Sequence, residues 1–475
     1  MPIQSKLELL RATRGCVHAA AAHWVARAGE IKRLRRSSSY IGEEWLSGPW
    51  AVLYAINRYI RTMRAIATCG QPALPGAPVR HDRAGNAIVR VFPVDLADRV
   101  LLAGITAEVF LRSSQPQFVA PPAQTQRVAI LGAGNITSIP LLDALYFLIA
   151  YNAVCTIKLN PIMDPLRSIF EDAFRPLIET GALAFISGGA DVGAALCADP
   201  AIDRIHLTGS RATYDALKHS AGDKPVTAEL GNVTPTIVLP GEWTSRDLRF
   251  QAEHIVTQKR HNAGFNCIAA QVLILPEKWP FTDLLIHETE NVMQTLEPRP
   301  DYYPGTADRR AQFTQSPSSI VWLSAQSPSP AFDREAFCNT LFGVRLPGDA
   351  CEFLHRAVDF ANDTLSGTLG ANVLVDPRTE AEMQDAMQHA LEQLRYGCVG
   401  VNAWAGVGYF LAETPWGDYG GSTGVVHNAY LLANAEKSVV RAPFRPLIKP
   451  PWFVTNKNQP LLGRLLCAFE ARKPS

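Results

Sequence analysis

The sequence predicts an α/β protein built on a parallel, doubly wound sheet. Three observations carry this: strand-like and helix-like segments alternate between residues 127 and 210, glycine turns close those strands, and the composition is that of an ordinary globular protein. The chain has 475 residues, 47% hydrophobic and 19% charged, which suits two or three domains rather than one.

RVAILGAGN reads as a buried strand ending in a glycine turn, SIPLLDALYFLIAYN as a helix, and AVCTIKLNP as a second strand. DPLRSIFEDAFRPLIETG is a helix closed by Gly181, LAFISGG a third strand, and DVGAALCADP a helix stopped by Pro200. IDRIHLTGS is a fourth strand, again ending in a Gly-Ser turn. Ahead of this unit, residues 5–70 have helical periodicity broken near Ser37–Tyr40 and Gly48–Pro49, and 70–78 is a Gly/Pro-rich connection. Residues 90–120 have a short, strand-like pattern followed by a Pro/Gln-rich linker at 121–126. A second α/β segment covers 236–402, and the chain ends in a Pro- and aromatic-containing tail.

A formal net charge of +1 offers no broad field for nucleic acid or anionic lipid. The local run Lys32, Arg33, Arg35 and Arg36 reads as a solvated helix end. Nine scattered cysteines, without CxxC pairs or metal-ligand spacing, point to reduced thiols in a cytoplasmic compartment and to no metal centre. Polar residues interrupt the N-terminal helical stretch, so it has no secretory apolar core. The most apolar internal run, 139–157, carries Asp143 and Asn152 and reads as a helix entering a buried strand, not a membrane span.

In a parallel sheet, ligands collect at the carboxyl ends of the strands. Three such ends carry suggestive residues: Gly132–Asn135, Lys158 and Gly209–Ser210. None forms a GxGxxG, and each also has a plain reading: a structural turn, a surface lysine, a helix cap. Lys158 could meet ribose hydroxyls or phosphate, and a helix opening at Ser210 could favour a phosphate. HNAGFNCIAAQ sets Cys267 among small and amide side chains, either as a reactive thiolate or as an inert buried thiol. AELGNVTP sets Glu229 in an apolar turn, either as a water-activating carboxylate or as a surface residue.

In this order the residues resemble the aldehyde dehydrogenase superfamily, from about residue 90 to about 428. LGAGN resembles the family's PWN element, whose Asn, here Asn135, helps form the oxyanion hole. TIKLNP resembles the strand whose lysine, here Lys158, contacts the adenosine ribose. HLTGS is similar to the FTGS turn near the phosphate, here Gly209 and Ser210. AELGNVTP resembles ELGG-x-x-P, with general base Glu229, and NAGFNC resembles N-x-G-Q-x-C, with nucleophile Cys267. REAFCNTL resembles E-I-F-G-P-V-L, making Glu335 and Phe337 the counterparts that hold the nicotinamide ribose and ring. A second register would set Thr340 and Phe342-Gly343 there instead. VGVNAW and TPWGDYGGSTG resemble the closing signatures.

The resemblance implies a Rossmann-type coenzyme domain (1–235, with a bridging oligomerisation segment near 105–125), a catalytic domain (236–410), and a return to the coenzyme domain plus tail (411–475). It implies NAD or NADP as cofactor, a small-molecule aldehyde as substrate, oxidation to the acid through a cysteine thioester, and a homodimer or homotetramer. Phe265 replaces the usual Gln, Asn232 a common second glycine, and Pro161 a Glu frequent in NAD-preferring members, leaving NAD versus NADP open. The alternatives are a CoA-acylating dehydrogenase or fatty acyl reductase, which generally lack the Glu of ELGG, and a non-catalytic descendant. Trp404, Tyr409, Phe410 and Trp416 could line a substrate tunnel or simply pack the core. In the tail, Leu461, Leu462, Leu465, Leu466 and Phe469 share one face of an expected short helix, suited to docking on its own or a partner subunit, gating, or membrane association.

Overall fold

The computed structural model describes residues 1–76, 79–313 and 319–474. Helices Ile3–Ile31 and Ala51–Cys69 pack against each other, and both expected breaks lie between them. At the second break Pro49 cannot donate a backbone hydrogen bond, and Leu46–Trp50 form a widened π turn. The basic run is not uniformly solvated. Lys32 is buried and pairs with buried Glu44 at 2.7 Å, while Arg33, Arg35 and Arg36 remain exposed. The helix ends at Ile31, and Arg33 turns left-handed (φ 54°), so the chain leaves the helical path within this run. The connection 70–78 begins with Gly70 in the left-handed region (φ 77°), and residues 77 and 78 lie outside the described residues.

Strands β1 (Arg80–His81), β2 (Ala87–Phe92) and β3 (Thr106–Leu111) form an antiparallel arm. Helix Leu96–Leu101 interrupts the stretch read as strand-like, because Asp95 and Asp98 build a reciprocal capping box.

Strands β4 (Arg127–Leu131), β5 (Val154–Lys158), β6 (Leu183–Ile186), β7 (Arg204–Gly209) and β8 (Val226–Leu230) form a wholly parallel sheet in the order β6-β5-β4-β7-β8. Helix Ile139–Ala150 is buried at every position, which accounts for its apolar pattern on all sides. No helix among the described residues is long and apolar enough to cross a membrane.

Three residues, 231–233, lead from β8 into a second sheet. It contains β9 (Thr234–Val238), β10 (Ala270–Pro276), β11 (Val321–Trp322), β12 (Phe342–Leu346), β13 (Gly370–Leu374) and β14 (Cys398–Val401). After the two-stranded ribbon β15 (Trp416–Gly417) and β16 (Val425–Val426), β17 (Ala435–Arg441) completes it. The order is β1-β2-β3-β17-β14-β13-β9-β10-β12-β11, parallel from β17 to β11. Within the segment expected to return to the coenzyme domain, β17 therefore lies in this larger sheet.

The tail does form a helix, Gln459–Ala471, but with the opposite face inward. Gln459, Gly463, Cys467 and Glu470 are buried, whereas Leu461, Leu465 and Phe469 are exposed. Close approach decides this: a Cβ on Gly463 would lie 2.5 Å from Trp45, and one on Gly42 would lie 2.1 Å from Gln459. Gly463 on that face and Gly42 opposite it let the tail helix pack so closely on helix Ile41–Trp45.

Candidate active site

The order of the five-stranded sheet reverses between β4 and β7, the place where open α/β sheets bind ligands. A cleft of ≈ 870 Å³ opens there, within the usual range for small-molecule sites. Asn135, Lys158, Gly209, Ser210, Glu229, Cys267, Glu335 and Phe337 all line it. Ser210 caps helix Arg211–Ser220, accepting from the Thr213 backbone N–H at 3.2 Å, so that helix's N-terminus borders the cleft.

The Lys158 ammonium, at the end of β5, makes no hydrogen bond or ion pair among the described residues. Burial lowers its pKa, opposed by Asp164 and Asp191. Glu335 is held at about 8, chiefly by burial, with Lys259 and Arg309 pulling it down. Its Oε1 is buried without a partner among the described residues. Glycines let the backbone approach closely: a Cβ at Gly134 would meet Asn160 at 2.6 Å, and one at Gly231 would meet Glu335 Oε2 at 2.0 Å. Tyr303 and Arg309 also border the cleft. The competing counterpart Thr340 is fully buried and does not line it.

Cys267 sits beyond a strained turn. Helix Ser245–Arg260 ends at His261, after which Asn262 and Ala263 both take left-handed conformations (φ 53° and 57°). Gly264 is also left-handed, and a Cβ there would lie 2.5 Å from the Cys338 carbonyl oxygen. Buried Glu43 accepts the Asn262 backbone N–H at 2.9 Å and is clamped by Arg299 at 2.7 and 2.8 Å. Asn262 Nδ2 donates to the Asn135 and Phe265 carbonyl oxygens, both at 3.0 Å. Asn135 Nδ2 donates to the Phe265 carbonyl at 2.9 Å, and the Tyr302 hydroxyl to the Asn135 carbonyl at 3.1 Å. Phe265 packs its ring against Tyr302, Tyr303 and Phe337.

Burial pushes the Cys267 thiol well above its ordinary pKa, reinforced by Glu335 and Glu229 and opposed by the Cys267 and Ile268 N–H groups. Glu229 is likewise raised by burial and then by Asp143, against the Trp416 Nε1–H, which donates to Oε2 at 3.1 Å. The Cys267 thiol therefore rests protonated at neutral pH, and burial favours the neutral form of Glu229. On the other side of Cys267 lies a narrow chamber bounded by His261, Trp404, Tyr409, Phe410 and Trp416, shared with Asn135 and Glu229. The aromatic residues singled out in the sequence thus line a chamber beside the thiol. Glu43, Arg299 and Tyr302 were not foreseen, since a glutamate in a short helical segment carries no sign of a partner 256 residues away.

The architecture is that of aldehyde dehydrogenases. It resembles the NAD-dependent aldehyde dehydrogenase of Sinorhizobium meliloti with a TM-score of 0.62 at 16% identity, over 94% of this chain and 84% of the other. It also resembles the glyceraldehyde-3-phosphate dehydrogenase GapN of Methanocaldococcus jannaschii, a complex with NADP, with a TM-score of 0.61 at 14% identity, over 93% and 90%. Residues 163–316 match the aldehyde dehydrogenase family, and this match, the curated relatives and the solved structures together support membership of the aldehyde dehydrogenase superfamily. Coniferyl aldehyde dehydrogenase of a Pseudomonas species is 33% identical over 126 residues, 25% of each chain. Betaine aldehyde dehydrogenase of Hordeum vulgare is 30% identical over 177 residues, 35% of this chain and 34% of the relative. The chain thus matches a quarter to a third of the length of these curated relatives. The family match contains Gly209, Ser210, Glu229 and Cys267, and leaves Asn135, Lys158, Glu335 and Phe337 outside.

Proposed function

We propose that this protein oxidises an aldehyde to a carboxylic acid, with Cys267 as nucleophile, Glu229 as general base and NAD or NADP as coenzyme. The observation that carries the reading is the convergence of Cys267, Glu229 and Asn135 where the cleft meets the aromatic chamber. The cleft fits a dinucleotide: Lys158 and the unpartnered Glu335 oxygen suit ribose hydroxyls, the helix N-terminus at Gly209–Ser210 suits phosphate, and Phe337 offers a ring face. When bound, the coenzyme supplies the hydride acceptor.

The chain's own groups do the rest. Cys267 Sγ, once deprotonated, adds to the aldehyde carbon. The remaining Asn135 amide N–H and the Cys267 backbone N–H meet the oxyanion, each such donor contributing about 3 kcal/mol to the barrier reduction. After oxidation to the thioester, Glu229 takes a proton from the water that releases the acid. Glu229 also favours water over a thiol as acyl acceptor, which argues against the CoA-acylating alternative.

The test is an aldehyde panel with NAD and with NADP, with and without CoA, reading reduced coenzyme and acid. Cys267→Ala is expected to abolish oxidation while keeping dinucleotide affinity within a few-fold. Acid formation by that variant would refute the assignment.

A further inference from the structure

Glu229 must shed its proton before each new turnover, yet it is only 4% exposed. Behind it lies a buried polar column that the proposed reaction does not otherwise use. Strands β7 and β8 are in register with Thr208 opposite Glu229 and His206 opposite Thr227, so all four side chains share one face. Asp143, on the otherwise apolar helix Ile139–Ala150, points into that column. It accepts from Thr208 Oγ1 at 3.3 Å and faces His206 Nε2 at 3.5 Å, both at Oδ2.

His206 joins the column at both ring nitrogens: Nε2 faces the Asp143 carboxylate, and Nδ1 lies 3.0 Å from Thr227 Oγ1, whose hydroxyl also reaches the Ile205 carbonyl at 3.4 Å. On the other side of Asp143, Oδ1 lies 4.0 Å from His427 Nε2. These two atoms and Glu229 Oε1 are all buried without partners among the described residues, and Asp143 acts electrostatically on Glu229; an internal water is the kind of group that joins such buried polar atoms. Tyr409, Tyr59 and Cys155 are the other titratable groups in the field of Asp143.

We propose that Asp143 and His206 are positioning residues that form the proton exit for Glu229. The proton Glu229 takes from water crosses the bridging water to Asp143 and is shared with His206. It then leaves past half-exposed Thr227 to solvent water or a buffer base, restoring the Glu229 carboxylate; no other bond changes. The proposal rests on Glu229 acting as base in deacylation.

Asp143→Asn, His206→Gln and Thr227→Val test it. The burst of reduced coenzyme reports acylation, and the steady rate that follows reports deacylation with proton loss. The burst is expected to survive in all three, while the steady rate falls about tenfold or more in Asp143→Asn and His206→Gln. Added imidazole is expected to restore part of the rate in His206→Gln, and wild type to be insensitive to buffer concentration. Steady rates within twofold of wild type, without buffer dependence, overturn the proposal, as does a burst lost in step with the rate. A readout free of turnover is the infrared carboxyl band of Glu229, assigned against Glu229→Gln. In Asp143→Asn this band is expected to titrate at lower pH, and an unmoved titration overturns the coupling. A wild-type protein that oxidises no aldehyde refutes the function itself, while the band still decides the coupling.

Discussion

Replacing Arg299 with methionine strips the clamp from the carboxylate that holds the nucleophile turn. Glu43 is fully buried and accepts two hydrogen bonds from Arg299 and one from the Asn262 N–H. Without the guanidinium it keeps only the backbone donor, and breaking a buried pair from one side costs about 3–5 kcal/mol. Glu43→Gln together with Arg299→Met removes the orphaned charge while keeping an acceptor for Asn262. The double variant is therefore expected to recover about 2 kcal/mol of that loss, a coupling of the size contacting residues show. The dependence on pH has a definite sign. Burial alone would raise the Glu43 pKa, but Arg299, His261 and the Asn262 N–H bring it below the ordinary value. Its stabilisation is thus full above the ordinary carboxylate range and fades as pH falls through the lowered value. Urea unfolding followed by tryptophan fluorescence at pH 7 and at pH 4 measures both effects. A loss under about 1 kcal/mol for Arg299→Met, or a double variant no more stable than the single, would refute the account.

Gly231→Ala sets a methyl 2.0 Å from Glu335 Oε2, so the carboxyl must shift by more than an ångström. Dinucleotide affinity, measured by calorimetry, is expected to weaken about tenfold, or ~1.4 kcal/mol, and an unchanged affinity counts against Glu335 as a coenzyme contact. Alkylation of coenzyme-free Cys267 by iodoacetamide, with a Cys267→Ala control, is expected to reach half its limiting rate above the ordinary thiol value of ~8.5, because burial and two carboxylates disfavour the thiolate. A midpoint below that value refutes the electrostatic reading. Ala263→Gly relieves a left-handed alanine and is expected to stabilise the fold by up to ~1 kcal/mol in urea; destabilisation would mean the turn is not strained.

The sequence was most legible where one strand and one glycine turn define a position. The order of β4, β5, β6 and β7, with its intervening helices, followed from local pattern, as did the turns that carry Asn135, Lys158 and Ser210. Contacts between distant segments were not legible in this way. Nothing around Glu43 announces a bond to Asn262, and nothing in the basic run marks Lys32 as the member that turns inward to Glu44. The tail shows the same limit. Its leucine periodicity correctly marks a helix, but backbone proximity through Gly42 and Gly463, rather than apolar area, chooses the face that docks. Asp143 was visible as a lone acid in an apolar helix, while its partners on β7 and in the 425–431 segment emerge only when the chain is folded.

Glu229 ends the smaller sheet and Cys267 precedes β10 of the larger one, with three residues joining the sheets directly between β8 and β9. The proposed reacting pair is therefore contributed by two sheets, and its spacing depends on how they pack through the hydrophobic core they share. Such a molecule can lose its chemistry while each sheet keeps its own hydrogen-bonded ladder. Under rising urea, catalysis is expected to fail at a lower concentration than far-ultraviolet circular dichroism does, and coincident transitions would show that the packing between the sheets is as firm as the sheets themselves. A lower midpoint for catalysis would make the packing between the sheets, rather than either sheet alone, the limit on the working range.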